Sequence, residues 1–223
     1  MTTRRRWLVR IGVIAAIVAL LVVFRQPILR GLADQLIVDE PSVPGAAHLI
    51  LSGDRAPELA VKAFLDGNAT EILLVDWWPD RTDRLGITST HAATLRRALV
   101  KHGVPETSIQ PLSGQPRDLY QATDGIGIWL DQHPDKHLIV YCNRFVSRQI
   151  QVIFQRVLGE RRERVHLQAV AHPEFDERDW WHQKSGLKDF WAATVHLLFT
   201  WTHDRPRHDY PDWDPDAYEK GLQ

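Results

Sequence analysis

Three short stretches hold the residue types best suited to chemistry. Ser52-Gly53-Asp54-Arg55 follows an apolar run and precedes a helical pattern. A glycine at such a junction admits an anion to the backbone N–H groups of a helix start, and Arg55 adds charge. Ser113-Gly114-Gln115-Pro116-Arg117-Asp118 is a second polar loop running into a helix; it reads equally as a capped turn with a solvated Arg/Asp pair. In Cys142-Asn143-Arg144-Phe145-Val146-Ser147-Arg148, two arginines and a serine gather where a helix begins. Cations there oppose the helix dipole unless an anion compensates. All three loops follow apolar strand-like runs, and in parallel α/β sheets ligands bind at the carboxyl ends of strands.

Other chemistries lack a pattern. Cys142 is the single cysteine, so no intramolecular disulfide forms, and no histidine is tied to it by motif. The eleven histidines show no zinc-ligand spacing, and His203-Asp204 with His208-Asp209 is the nearest approach to one. No phosphate-binding loop, nucleophile elbow or paired-carboxylate motif is present. The sequence names no cofactor and no metal. With a formal net charge of -1, no global field favours nucleic acid.

The elements that position the loops alternate. His48–Leu51, Glu71–Val75, Ile109–Leu112, His137–Tyr141 and Val165–Val170 are short apolar runs that read as strands. Between them lie helical patterns. The first has Asp54 as N-cap and Pro57 in its first turn. The next runs from Thr88 or Ser89 to Gly103, one opens at Pro116 and ends at Pro134, and one is closed by Gly159. A last helix spans Leu187 to about Thr202. This order predicts a doubly wound, mostly parallel, Rossmann-like α/β sheet flanked by helices.

The N-terminus speaks to location. Arg4, Arg5, Arg6 and Arg10 precede or flank the uncharged apolar run Ile11–Phe24. With Trp7, Leu8 and Val9 the segment nears the minimum length of a membrane-crossing helix. The arginine bias predicts a cytoplasmic N-terminus and an exported domain, anchored in the inner membrane by a single pass. A cleaved signal peptide and a twin-arginine signal are the competing readings, and both place the domain on the same side. The division expected is residues 1–33 as anchor, 34–203 as the α/β domain and 204–223 as an irregular tail. Nine tryptophans, many in aromatic patches late in the chain, suit core burial, sugar or membrane platforms, or docking of the last helix to another envelope component or the membrane surface.

Taken together, the loops resemble the SanA/YdcF/ElyC-type family of envelope proteins. Leu51-Ser52-Gly53-Asp54-Arg55 is similar to its L-G-G-x-x-R element, Gly103-Val104-Pro105 to its G-V-P, and Leu112–Asp118 to its S-x-N-T loop without the Asn-Thr. Val140–Arg148 is similar to V-T-S-x-x-H-x-x-R, with Phe145 at the histidine position and Thr90 or His91 near the glutamate position. The resemblance implies a Rossmann-like domain acting in peptidoglycan, polysaccharide or lipid-linked precursor metabolism. It implies a phosphate- or sugar-bearing, anionic ligand held by Ser52, Gly53, Arg55, Ser113, Asn143, Arg144 and Arg148. An active hydrolase or transferase is the alternative, using Asp54, Asp118 or His91, and a non-catalytic interaction protein is another.

Overall fold

A computed structural model of the chain describes residues 22–203 and, before them, Trp7, Arg10, Gly12, Val13 and Leu20. About half of the expected anchor and all of the expected tail lie outside the described residues. Among the described residues, no helix is long and apolar enough to cross a membrane.

Five strands form one sheet: β1 Ala46–Ile50, β2 Ala69–Leu74, β3 Ile109–Pro111, β4 Leu138–Asn143 and β5 Val165–Val170. All four pairings are parallel and the order is β3-β2-β1-β4-β5. The helices are α1 Arg25–Leu36, α2 Ala56–Leu65, α3 Arg81–Arg84, α4 His91–Lys101, α5 Leu119–Gln132, α6 Ser147–Leu158 and α7 Lys184–Thr202. The inner strands β1 and β4 are buried on both faces, as continuous apolar runs require, while edge strand β3 buries Ile109 and exposes Gln110 and Pro111. One face packs Ile50, Ile72, Leu74 and Tyr141 against Ala60 of α2 and Leu99 of α4. The other packs Leu49, Leu73, Val140 and Leu167 against Ile126 of α5 and Phe154 of α6. The chain leaves β3 at one edge and re-enters at β4 beyond β1. The sheet therefore changes winding direction between β1 and β4, which opens a crevice at their carboxyl ends.

Local details depart from the sequence reading at two helix starts. Asp54 is not the N-cap of α2; Arg55 occupies that position, and the Ala56 N–H donates to the Gly53 carbonyl. The tight turn at Gly53 consumes the residues that the pattern assigned to the helix. Likewise Pro116 does not open α5: Asp118 caps it, accepting from the N–H groups of Tyr120 and Gln121 at 2.7 and 2.9 Å.

A third core joins α1 and α7 to the body. Ala33 and Leu36 of α1 pack with Phe145, Trp180, Phe190, Ala193 and Leu197. So α1 continues past residue 33 into the folded domain. Its C-terminal end is held by Ser147, fully buried at the start of α6. The Ser147 hydroxyl accepts from the Val38 N–H at 2.8 Å and lies 2.7 Å from the Arg144 carbonyl and 3.3 Å from that of Leu36. Beyond Val38 the chain runs along the outer edge of β5. There the Leu167 and Ala169 N–H groups donate to the carboxylates of Glu40 and Asp39, and the Glu40 N–H donates to the Leu167 carbonyl.

Two expected outcomes follow from this packing. Ser147→Ala leaves the buried Val38 N–H without its acceptor and lowers stability by about 1–3 kcal/mol in urea unfolding. His48, on β1, is 2% exposed; its Nδ1 meets the Tyr141 hydroxyl at 2.8 Å and its Nε2 has no hydrogen-bond partner among the described residues. Burial pushes its pKa from 6.5 down to about 4, only partly offset by the Asn68 backbone. The unfolded chain therefore takes up this proton first. The stability contributed by neutral His48 is complete above pH 6.5 and drains away as pH falls toward 4, by roughly 3 kcal/mol. Urea unfolding across that range checks this, with His48→Gln flattening the profile.

Candidate functional site

At the winding reversal the ends of β1, β4 and β5 are tied into one rim. The N–H groups of Leu51 and Ser52 both donate to the Tyr141 carbonyl, at 3.1 and 3.2 Å. The Asn143 N–H donates to the Ser52 hydroxyl at 3.2 Å. Gly53 sits at φ +109°, and a Cβ there would lie 3.2 Å from Val170 Cβ and 3.4 Å from Asn143 Oδ1. Only glycine meets both the torsion and the close approach.

Beside this rim lies a cavity of about 190 Å³ with six polar side chains: Asn143, Arg144, His172, Glu177, Asp189 and His196. They come from three places. Asn143 ends β4 and Arg144 opens the short turn after it, His172 and Glu177 belong to the loop after β5, and Asp189 and His196 lie on α7. Phe145 and Phe175 wall the cavity, their rings stacked with centroids 5.9 Å apart.

Arg144 and Glu177 form an ion pair within it. Glu177 has a side chain only 4% exposed; one carboxylate oxygen accepts from Arg144 Nη1 at 3.2 Å and the other from the His172 N–H at 2.8 Å. His172 Nδ1 accepts from the Glu174 N–H at 3.1 Å. Its proton therefore resides on Nε2, which faces an Asp189 carboxylate oxygen at 3.7 Å. The His172 ring also stacks on Phe175 at 4.3 Å. With Nδ1 already an acceptor and Nε2 turned to Asp189, His172 is set as an orienting group. No serine, threonine or cysteine lines the cavity. Cys142 beneath it is fully buried, and burial, reinforced by the Asp39 and Glu40 carboxylates, pushes its thiol pKa far up. What this arrangement supports is recognition by hydrogen bonds and aromatic walls.

The residues singled out in the sequence divide. Ser52, Gly53, Asn143 and Arg144 are brought together at this rim. Arg148 is directed elsewhere: its Nε donates to the Gln35 carbonyl at 3.1 Å and its Nη1 to Gln151 at 2.8 Å. The cations at the start of α6 are thus compensated from within the protein, Arg144 by the Glu177 carboxylate and Arg148 by the carbonyl end of α1. Arg55 is exposed, 3.8 Å from Glu58, and Asp54 is exposed beside it. Ser113 is exposed in the loop after β3, three strand positions from β4, where Asp118 caps α5. That separation is roughly 14 Å. His91 is exposed as the first residue of α4. Phe145 is buried between Phe175 and Phe190.

Sequence reasoning missed His172, Glu177, Asp189 and His196. The strand-end rule could have found the first two, because Ala171–Glu177 follows β5 directly. The α7 pair carries no such signal.

Removing one member of the Arg144–Glu177 pair strands a charge. Arg144→Met leaves the Glu177 carboxylate buried and lowers stability by about 2–4 kcal/mol, less than for a fully enclosed pair because Arg144 is one-third exposed. Adding Glu177→Gln recovers much of that loss, which a double-mutant cycle in urea measures. No protein-family model, curated protein or solved structure matches this chain, so the site is read from its own geometry.

Proposed function

We propose that this chain is a membrane-tethered, non-cytoplasmic α/β domain of the SanA/YdcF/ElyC type. On this reading its Rossmann-like strand-end cavity binds a sugar-bearing precursor of the cell envelope. The observation that carries the reading is the convergence of six polar side chains from β4, the loop after β5 and α7 on one cavity walled by two phenylalanines. Planar and hydrogen-bonding groups interleaved in this way match the alternating apolar faces and hydroxyls of a hexose.

The charge arrangement refines the ligand. The single guanidinium in the cavity is matched by buried Glu177, and Asp189 adds a second carboxylate. An isolated phosphate gains little there, since its charge meets two carboxylates at short range. Hydroxyl groups, which both donate and accept, suit Asn143, Asp189 and His196 better. The anionic part of the expected ligand thus belongs outside the cavity, toward exposed Arg55. Location follows the arginine bias around Ile11–Phe24. A hydrolase or transferase built on Asp54, Asp118 and His91 gains no support from geometry, because none of them lines this cavity.

The test is thermal unfolding of the full chain with hexoses, N-acetylhexosamines, hexose phosphates and inorganic phosphate. Sugars at a hundredfold excess over Kd are expected to add about 2.7 kcal/mol. Asn143→Ala and Asp189→Ala are expected to abolish that gain while Arg55→Ala retains it for neutral sugars. Stabilisation by inorganic phosphate alone, with none from sugars, overturns the reading.

A further inference from the structure

We propose that the outward faces of α1 and α7 form a surface that rests on a lipid bilayer carrying anionic headgroups. The proposal stands apart from the ligand cavity.

Helix α7 is apolar on two sides. Phe190, Ala193 and Leu197 face the core, and Asp189 and His196 line the cavity. On the remaining side Leu187, Trp191, Val195 and Leu198 follow one another at spacings of four, four and three. They form a single row, exposed by 39%, 59%, 59% and 50%. A helix with two apolar faces requires a cover for each. Helix α1 packs on α7 through Ala33 and Leu36, and it too turns apolar residues outward: Phe24 at its N-cap, then Ile28 and Leu32, exposed by 51%, 43% and 48%.

Three observations select lipid as that cover. Lys184 and Lys188, both exposed, belong to the same side of α7 as Leu187 and Trp191. Against a protein surface two ammonium groups within an apolar row cost desolvation. At a bilayer interface they extend to the phosphate layer while their stems stay in apolar contact. Trp191 and Trp201, exposed by 59% and 54%, carry the amphipathic indole that favours the headgroup boundary. Finally, α1 continues directly from Ile11–Phe24, which contains no charged residue. The most apolar stretch of the chain thus leads straight into the proposed surface. Because Asp189 and His196 share α7 with the row, docking would also set the mouth of the cavity beside the headgroups.

The test uses the full chain in vesicles of phosphatidylcholine with a minority of phosphatidylglycerol. Cys142 is fully buried, so a nitroxide attaches only to an introduced cysteine, Val195→Cys in one variant and Asp135→Cys, on an exposed loop, in another. Oxygen concentrates in lipid and a nickel chelate stays in water, so their collision rates with the label report its surroundings. The label at 195 is expected to gain oxygen collisions and lose nickel collisions relative to the label at 135. Lys184→Glu with Lys188→Glu is expected to shift the 195 label toward water in the mixed vesicles and not in pure phosphatidylcholine. A 195 label as open to nickel as the 135 label shows a face in water and overturns the proposal. So does a label shielded from both reagents, which marks cover by protein, either a second copy or the chain's own tail. A depth unmoved by the charge reversal overturns the anionic-headgroup part.

Discussion

The fold depends on one buried hydroxyl. Ser147 begins α6 directly after β4, and its Oγ reaches the end of α1, the segment that follows it and the turn that carries Arg144. With one proton and two lone pairs it cannot donate to both carbonyls at once. The 2.7 Å contact to Arg144 is the stronger bond and the 3.3 Å approach to Leu36 the weaker one. That choice fixes the β4–α6 turn, and the turn fixes where the guanidinium of Arg144 lies. A secondary-structure junction, a helix terminus and a side chain of the cavity wall thus share a single anchor.

From that anchor the electrostatics of the site follow. A helix start bearing two arginines calls for negative partners, and the protein supplies both. One is a carboxylate from the loop after β5; the other is the carbonyl end of a helix that precedes the sheet in sequence. The same guanidinium that holds Glu177 therefore cannot present an unopposed charge to a ligand. What remains on the cavity wall is a set of groups that orient one another: Glu177 holds the His172 backbone, Glu174 fixes the imidazole tautomer, and Phe175 backs the ring. Such interlocking favours a rigid recognition surface over one that must exchange protons.

Much of the scaffold was legible from pattern. Five apolar runs became five strands within a residue or two, because a parallel sheet buries its inner strands on both faces and leaves a continuous hydrophobic signature there. Gly103 and Gly159, both at positive φ, closed their helices as expected. The start of α2 was misread because the turn at Gly53 satisfies the first helical N–H with a backbone carbonyl, leaving Asp54 no capping role. Four of the six polar side chains of the cavity were also hidden. Arg144 and Glu177 pair across 33 residues, and no local periodicity encodes a contact at that distance. On α7, apolar residues all round the helix left its phase undetermined; Phe190 turned inward while Trp191, Val195 and Phe199 turned out.

The lead-in from α1 to β1 has a consequence for how the molecule keeps to itself. An edge strand offers a row of unpaired amides on which another polypeptide can build. Here Asp39 and Glu40 lie along β5 and occupy alternate amides at Leu167 and Ala169 with negative charge. The opposite margin is a strand of three residues ending in Pro111, which has no amide hydrogen to offer. Both borders of the sheet are thus closed by its own chain, one by carboxylates and the other by brevity and an imino acid. Among the described residues, fibrillar growth by strand addition meets no ready template.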